Sequence, residues 1–362
     1  MYSLFVHNHS SYIKMVHCKA IRLNRRLVIT DVPTADDFNV VDCNENEELE
    51  DGEVLIKTLF LSVDPYMKFR MIEGDSTYAY LKPWEVGGIC DGGGVGVVIA
   101  SRFAGLSKND LVESFHFKWQ TIFKTDGKFV NKIENDVVKS NASQCLGLFG
   151  ITGLTSLLGL KHFGNIKQGK SQTIVISGAA GACGSAAGQI ARIFGATNVV
   201  GICGSEAKCR YLTEDLGFNA AVNYKTENVA ASLKKACPGG VDTYFDNVGG
   251  NISNDVIRLM NEDSHIVLCG QISTYNKELE YPPPIPAEIR EILKSRKITR
   301  ERFLVLNHSA EWKESLDILT SWYQDGSIKS RETITEGIEN IGHALVSVMT
   351  GGNIGKQVVR VA

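Results

Sequence analysis

The sequence shows little imbalance of charge, with 38 Lys and Arg against 41 Asp and Glu. That balance excludes the basic footprint a nucleic-acid surface needs. No run approaches about 20 uninterrupted apolar residues, so no segment is expected to span a membrane. The opening stretch, MYSLFVHNHSSYIK, lacks the apolar core of a signal peptide and the arginines of a transit sequence. With Met15 available as a second start, residues 1–14 read as a flexible tail. The nine cysteines form no CxxC pair and no Cys/His grouping at zinc spacing. Most lie in apolar segments, where a thiol behaves as a small hydrophobe, and a reducing cytoplasm is the expected location. A G-x-S-x-G elbow is also missing, so a Ser–His–Asp hydrolase is unsupported.

What is abundant is glycine, at 35 residues, much of it in short clusters. At 362 residues, 43% hydrophobic and 22% charged, the chain has the balance of a globular protein and the length for two domains. Residues 20–145 read as β-rich, with β-branched runs in GEVLIKTLFLSV (52–63) and GGGVGVVIAS (92–101). From Leu146 the texture changes. GLFGITGLTSLLGL reads as a helix, and five short apolar runs follow: TIVIS, NVVGIC, AAVNY, DTYFDN and HIVLCG. Helical patterns separate them, such as Cys209/Leu212/Leu216 closed by Gly217. The expectation is an α/β chain with a doubly wound parallel sheet whose ligands collect at the C-terminal ends of the strands. Beyond YPPPIP (281–286), helices are expected at AEIREILKS and EWKESLDILTSWYQDG, with a strand at RFLVLN (302–307). The terminal strand in GGNIGKQVVRVA is expected to rejoin the β-rich part. The division is then 15–145 completed by 330–362, and 146–329.

SGAAGACGSAAGQIA (177–191) follows a strand and opens a helix, the context of a dinucleotide fingerprint. Ala179 stands where the first Gly of GxGxxG would be. Gly181 admits a pyrophosphate to the backbone, and Gly184 permits close helix–sheet packing. A tight βα turn built for packing alone is the competing reading. DGGGVG (91–96) is also glycine-rich, but β-branched residues follow it, so it is expected to be a turn entering a strand. At the tip of the second strand, ICGSEAK carries Gly204-Ser205 where an NAD enzyme would carry an acid. Lys208 lies one turn into the helix and Tyr224 ends the next strand; both suit a 2′-phosphate, so NADPH is preferred over NADH. A zinc alcohol dehydrogenase needs converging Cys, His and carboxylate ligands. FLSVDPYMKF has none where the first would fall, and no metal ligand set is expected.

LSVDPYM, ISGAAGACGS, GICGSEAKC, YFDNVGGNIS, CGQIS-YN, YPPP, ITRERFLVLN and MTGGNIGKQ together resemble the zinc-free medium-chain dehydrogenase/reductases. Within these they resemble the leukotriene B4 dehydrogenase-like group that includes the 15-oxoprostaglandin 13-reductases. The resemblance runs from about Ala20 to Val361. It implies a GroES-like β-rich catalytic domain beside a Rossmann domain; for assembly, a monomer and a homodimer are equally compatible with the sequence. The implied reaction is NADPH-dependent reduction of the enone double bond of 15-keto-prostaglandins, small lipid-like molecules. Cofactor contacts would fall on Gly181, Ala182, Cys183, Gly184, Lys208, Tyr224 and Asn247. They would continue over Cys269, Gly270, Gln271, Ile272, Ser273, Thr274 and Tyr275, then Phe303, Leu304, Val305 and Asn353. Substrate contacts would fall on Phe115, His116, Leu304, Val305 and Leu306. At His116 this chain departs from the phenol-bearing aromatic of the family, which bears on substrate preference. The same scaffold also accommodates a quinone oxidoreductase or a catalytically idle NADPH-binding protein.

Hydride addition to an enone builds negative charge on the carbonyl oxygen, and a donor placed there stabilises it by a few kcal/mol. Tyr275, just past the fifth strand, is the expected donor. Tyr66 of DPYM is a second phenol, for which packing is the expected role.

Overall fold

The structure is a computed structural model that describes residues 14–73, 81–279 and 283–362. The expected tail therefore lies outside the described residues, except Lys14, as do Tyr281 and Pro282 of YPPPIP.

Among the described residues, six parallel strands form one sheet in the order Ala220–Asn223, Asn198–Cys203, Thr173–Ser177, Val241–Asp246, Met260–Leu268, Thr299–Arg302. In chain order this is the 3-2-1-4-5-6 arrangement of a doubly wound nucleotide-binding sheet. Thr173–Ser177 is buried at every position, which explains the continuous apolar run with no alternation. The helix Ala182–Phe194 buries the face carrying Ala186, Ala187, Ile190 and Ala191, and closes on Gly195 at φ 111°. The helix Ile151–Phe163 packs on the same sheet. A Cβ on its Gly159 would lie 3.2 Å from Val267 and 3.4 Å from Phe303, so glycine sets that close approach.

A seven-stranded sheet runs in the order Glu332–Glu336, Lys356–Arg360, Glu53–Ser62, Asp91–Ser101, Leu111–Lys118, Asn131–Lys132, with Ile122–Asp126 also pairing Glu53–Ser62. The terminal strand pairs antiparallel with Glu53–Ser62, so the end of the chain does return to the β-rich part.

Three sequence expectations are corrected. The strand expected over RFLVLN ends at Arg302, its first residue. Its neighbour in the sheet ends at Leu268, so after Phe303 N–H donates to Leu268 O the ladder stops and Val305–Glu311 coils into tight helical turns. DGGGVG is not a turn. Asp91–Ser101 is one strand, and its glycines clear space: a Cβ on Gly94 would strike the Phe117 ring, and one on Gly96 would lie 2.6 Å from Ile56 Cγ2. Cys18 and Cys43, expected as thiols, are joined in a disulfide. They sit directly opposite in the antiparallel pair Met15–Leu23 and Phe38–Asn46, with Cα atoms 5.0 Å apart. The other seven cysteines are free. No helix among the described residues is long and apolar enough to cross a membrane.

Candidate active site

The topological switch point of the parallel sheet lies between Thr173–Ser177 and Val241–Asp246, which run side by side but leave in opposite directions. A cleft of about 1310 Å³ opens there, between the parallel sheet and the β-rich part.

Its floor is the fingerprint. Gly178 turns at φ 59°, and Gly181 caps the following helix without any side-chain acceptor for the first-turn N–H groups. Those donors and the positive end of the helix face the cleft through Ala182, Cys183 and Gly184. A Cβ on Gly184 would lie 2.5 Å from Gly178 O and 2.7 Å from Ala179 Cα, so only glycine allows the helix to sit this close to the turn. A segment from the far end of the chain closes the floor: Gly355 N–H donates to Ala180 O at 2.7 Å, and Asn353 Nδ2 donates to Gly355 O at 2.7 Å. The bridge between Gly181 and Gly355 therefore stitches the two sheets together beside the glycine-rich turn.

One wall is the tip of the second strand. The Tyr224 ring lies over Gly204, where a Cβ would stand 2.8 Å from the phenol oxygen. Lys208 is half-buried; burial pulls its ammonium below the ordinary lysine range, and Nζ donates to Gly351 O at 2.7 Å. Tyr224, Lys208 and the uncapped helix end form a cationic, donor-rich wall that fits a phosphorylated ribose. Cys203 and Cys209 lie beneath it with sulfurs 3.4 Å apart, and burial pushes the Cys203 thiol up to about 12. We expect Lys208→Ala to weaken NADPH about tenfold or more and NADH less than about twofold, read by titration of cofactor fluorescence. Equal losses would mean that the Lys208 charge reads no 2′-phosphate.

The opposite wall is the loop after Met260–Leu268. It is zipped to the neighbouring strand end: Gly270 N–H donates to Asp246 O at 2.9 Å, Ile272 N–H to Asn247 O at 3.2 Å, and Ser273 N–H to Val248 O at 3.0 Å. Asn247 Nδ2 donates to Ser177 O at 2.7 Å, tying the two switch-point strands together. Cys269 faces Cys183; their hydrogen bond and burial raise the Cys269 thiol. Gln271 and Thr274 belong to this loop but do not line the cleft. Gln271 is buried, and the Thr274 hydroxyl donates to Gln271 O at 2.8 Å. Tyr275 does line it. A Cβ on Gly270 would lie 3.4 Å from its hydroxyl, and its ring meets Phe69 edge-on with centroids 4.7 Å apart.

Phe303, Leu304, Val305 and Leu306 edge the cleft from the short strand and the turns after it. Phe115 and His116 edge it from Leu111–Lys118, and the Phe115 ring contacts Trp312 with centroids 6.0 Å apart. Exposed apolar side chains ring this mouth: Ile89, Phe115 and Leu306. Tyr66 lines the cleft too, and packs against the core of the β-rich part.

Two features escaped the sequence reading. Asp246 is 1% exposed and accepts from Val248 N–H (3.0 Å), Gly249 N–H (2.9 Å), Tyr244 OH (2.9 Å) and Ser253 OH (2.7 Å). Burial, with Asp246 alongside, raises the Tyr244 phenol well above its ordinary value. Lys356 Nζ donates to Asp64 Oδ1 at 2.9 Å and Val63 O at 2.8 Å, locking the terminal strand under the cleft. An Asp at a strand end and a Lys after Gly are common enough that pattern alone does not single them out. The one grouping among the described residues with metal-compatible spacing is His162, His308 and Glu311. It lies outside the cleft, and Glu311 is already held by Lys161 and His162, at 2.7 Å each.

A doubly wound sheet, a β-rich partner and a dinucleotide cleft at the switch point define the two-domain dehydrogenase class. Known families agree: residues 182–321 match the family described as zinc-binding dehydrogenase, and 19–133 the N-terminal domain of oxidoreductase. A Bacillus subtilis protein named as an NADP-dependent oxidoreductase is 42% identical over 87% of this chain and 90% of its own length. Bovine prostaglandin reductase 1 is 35% identical over 96% of this chain and all of its own. The crystal structure of Vibrio vulnificus CurA in complex with NADPH superposes with a TM-score of 0.84 at 32% identity, covering 95% of this chain and 99% of that one. The chain belongs to the medium-chain dehydrogenase/reductase superfamily, among its zinc-free NADPH-dependent oxidoreductases.

Proposed function

We propose that the protein reduces the conjugated double bond of 15-keto-prostaglandins and related enones, in the manner of prostaglandin reductase 2. The observation that carries this is Tyr275, a phenol at the cleft wall beside Gly270, where the fifth strand delivers its loop. The cleft exceeds the roughly 300–1,000 Å³ of ordinary small-molecule sites, which leaves room for a dinucleotide and a second molecule. Its apolar mouth at Ile89, Phe115 and Leu306 suits an aliphatic chain leaving the site. An Escherichia coli relative, 34% identical over 86% of this chain, is named NADPH-dependent curcumin reductase. Curcumin and 15-keto-prostaglandins share the C=C–C=O unit. Residues 15–145 with 330–362, and 146–329, are taken as the two domains, and the cytoplasm as the location, on the seven free cysteines and against the single Cys18–Cys43 pair.

In this mechanism the fingerprint donors and Lys208 hold the phosphates, and Tyr224 covers the strand tip. When bound, NADPH supplies a hydride for the β-carbon of the enone. Tyr275 donates a hydrogen bond to the carbonyl oxygen, stabilising the negative charge where it develops. Phe303–Leu306, Phe115 and His116 shape the substrate side, and protonation of the enolate's α-carbon from solvent completes the saturated ketone.

The test is NADPH oxidation with 15-keto-prostaglandin E2, simple enones, curcumin and quinones, with product identified by mass and proton NMR. Saturation of the double bond with the ketone intact is expected. An alcohol product, or turnover of quinones alone, would overturn the proposal.

A further inference from the structure

Lys68 is buried completely, in the five-residue helix Met67–Met71 that follows DPY. Its ammonium donates to Ile29 O at 2.7 Å, to Tyr275 O at 2.7 Å and to Asn276 Oδ1. Three N–H donors thus meet three acceptors, and all three acceptors are neutral. No ion pair among the described residues involves Lys68. Burial lowers its ammonium to about 8, and the Asp31 charge opposes that only in part. A buried cation without a counter-charge is a poor way to gain stability, because its desolvation outweighs what neutral acceptors return. Its partners are more informative than its cost. Ile29 belongs to the β-rich part, whereas Tyr275 and Asn276 belong to the loop that ends the fifth strand. The next residue, Phe69, meets the Tyr275 ring edge-on. Two consecutive residues therefore grip Tyr275 by main chain and by ring, across the cleft from the sheet that carries it.

We propose that Lys68 is a positioning residue, clamping the Tyr275–Asn276 backbone to the β-rich part so that the phenol is held aimed into the cleft. Its catalytic consequence rests on the functional reading above; the clamp itself does not. Lys68→Met keeps an unbranched side chain one atom shorter and removes every donor. With an enone as substrate, kcat should fall about tenfold to a hundredfold, since small misplacements of a reacting group cost that much. The NADPH dissociation constant should stay within about twofold, because the fingerprint wall is untouched. In a Tyr275→Phe background the same change should add less than about a twofold further loss, as expected for a residue acting through Tyr275. A merely structural role would reduce turnover by the same factor in both backgrounds, and that result overturns the proposal. Should Lys68→Met fold poorly, Asn276→Ala removes one acceptor, and a smaller loss that also vanishes beside Tyr275→Phe is expected.

Hydrogen exchange separates the clamp from the chemistry. Amides of 270–277 should exchange faster in Lys68→Met than in the parent, with NADPH present and no substrate; unchanged exchange overturns the clamp. A parent protein that reduces no enone but shows this exchange difference would refute the functional reading and leave the clamp standing.

Discussion

Tyr275→Phe should lower kcat with enone substrates by about 10²–10³, the usual cost of removing one oxyanion donor. The ring would remain edge-on to Phe69, and the backbone would keep its bond from Lys68, so only the hydroxyl is lost. NADPH affinity should therefore stay within about twofold, because the donors of 181–184 and Lys208, proposed to hold the phosphates, lie on other walls. The expected pattern is a loss in kcat and kcat/KM with KM for NADPH unchanged, measured by steady-state kinetics and by single-turnover hydride transfer. The Phe variant turning over like the parent would remove Tyr275 from the mechanism. An enzyme using the phenol only for cofactor contact would instead show a raised KM for NADPH and little change in kcat.

Asp246→Ala should cost roughly 3–5 kcal/mol of stability, read as a lowered denaturant midpoint at unchanged slope. The reason is asymmetry. Truncation leaves the buried Tyr244 and Ser253 hydroxyls with only each other, at 2.9 Å, and takes the side-chain acceptor from the Val248 and Gly249 N–H groups. Asp246→Asn keeps one carbonyl oxygen for the two N–H donors and should lose only about 1–2 kcal/mol. The same network orients Asn247–Gly249, to which the Tyr275 loop is zipped. A folded Asp246→Ala protein should accordingly show weakened enone turnover as well. A loss under about 1 kcal/mol would mean the network is dispensable.

The parallel half was written locally. TIVIS and NVVGIC are the strands Thr173–Ser177 and Asn198–Cys203 to the residue, because strands buried on both faces must be apolar throughout. Gly217, at φ 70°, closes its helix as the C′ pattern requires. The fingerprint was legible because its glycines answer to backbone contacts only a few residues away, such as Gly184 against Gly178 O. What failed depended on partners far along the chain. RFLVLN looks like a strand, but a strand lasts only as long as its neighbour, and the neighbour ends at Leu268. The glycines of 92–96 look like a turn, yet they exist for Phe117 and Ile56 on adjoining strands. The Cys18–Cys43 pairing follows from register between two strands, which spacing does not reveal.

Residue chemistry and local pattern alone thus determined the doubly wound sheet, its glycine-rich strand-to-helix turn, the missing acid at the second strand tip and the absence of a zinc ligand set in DPYMKF. Only the tertiary structure decided that Lys68 reaches Tyr275, that Gly355 meets Ala180, and that Lys208 meets Gly351. Each of those contacts joins residues 143 or more positions apart in sequence. Side-chain periodicity reports which face of an element is buried, but not what lies against it. The cleft is made of such contacts, so its walls were readable one at a time and its closure was not.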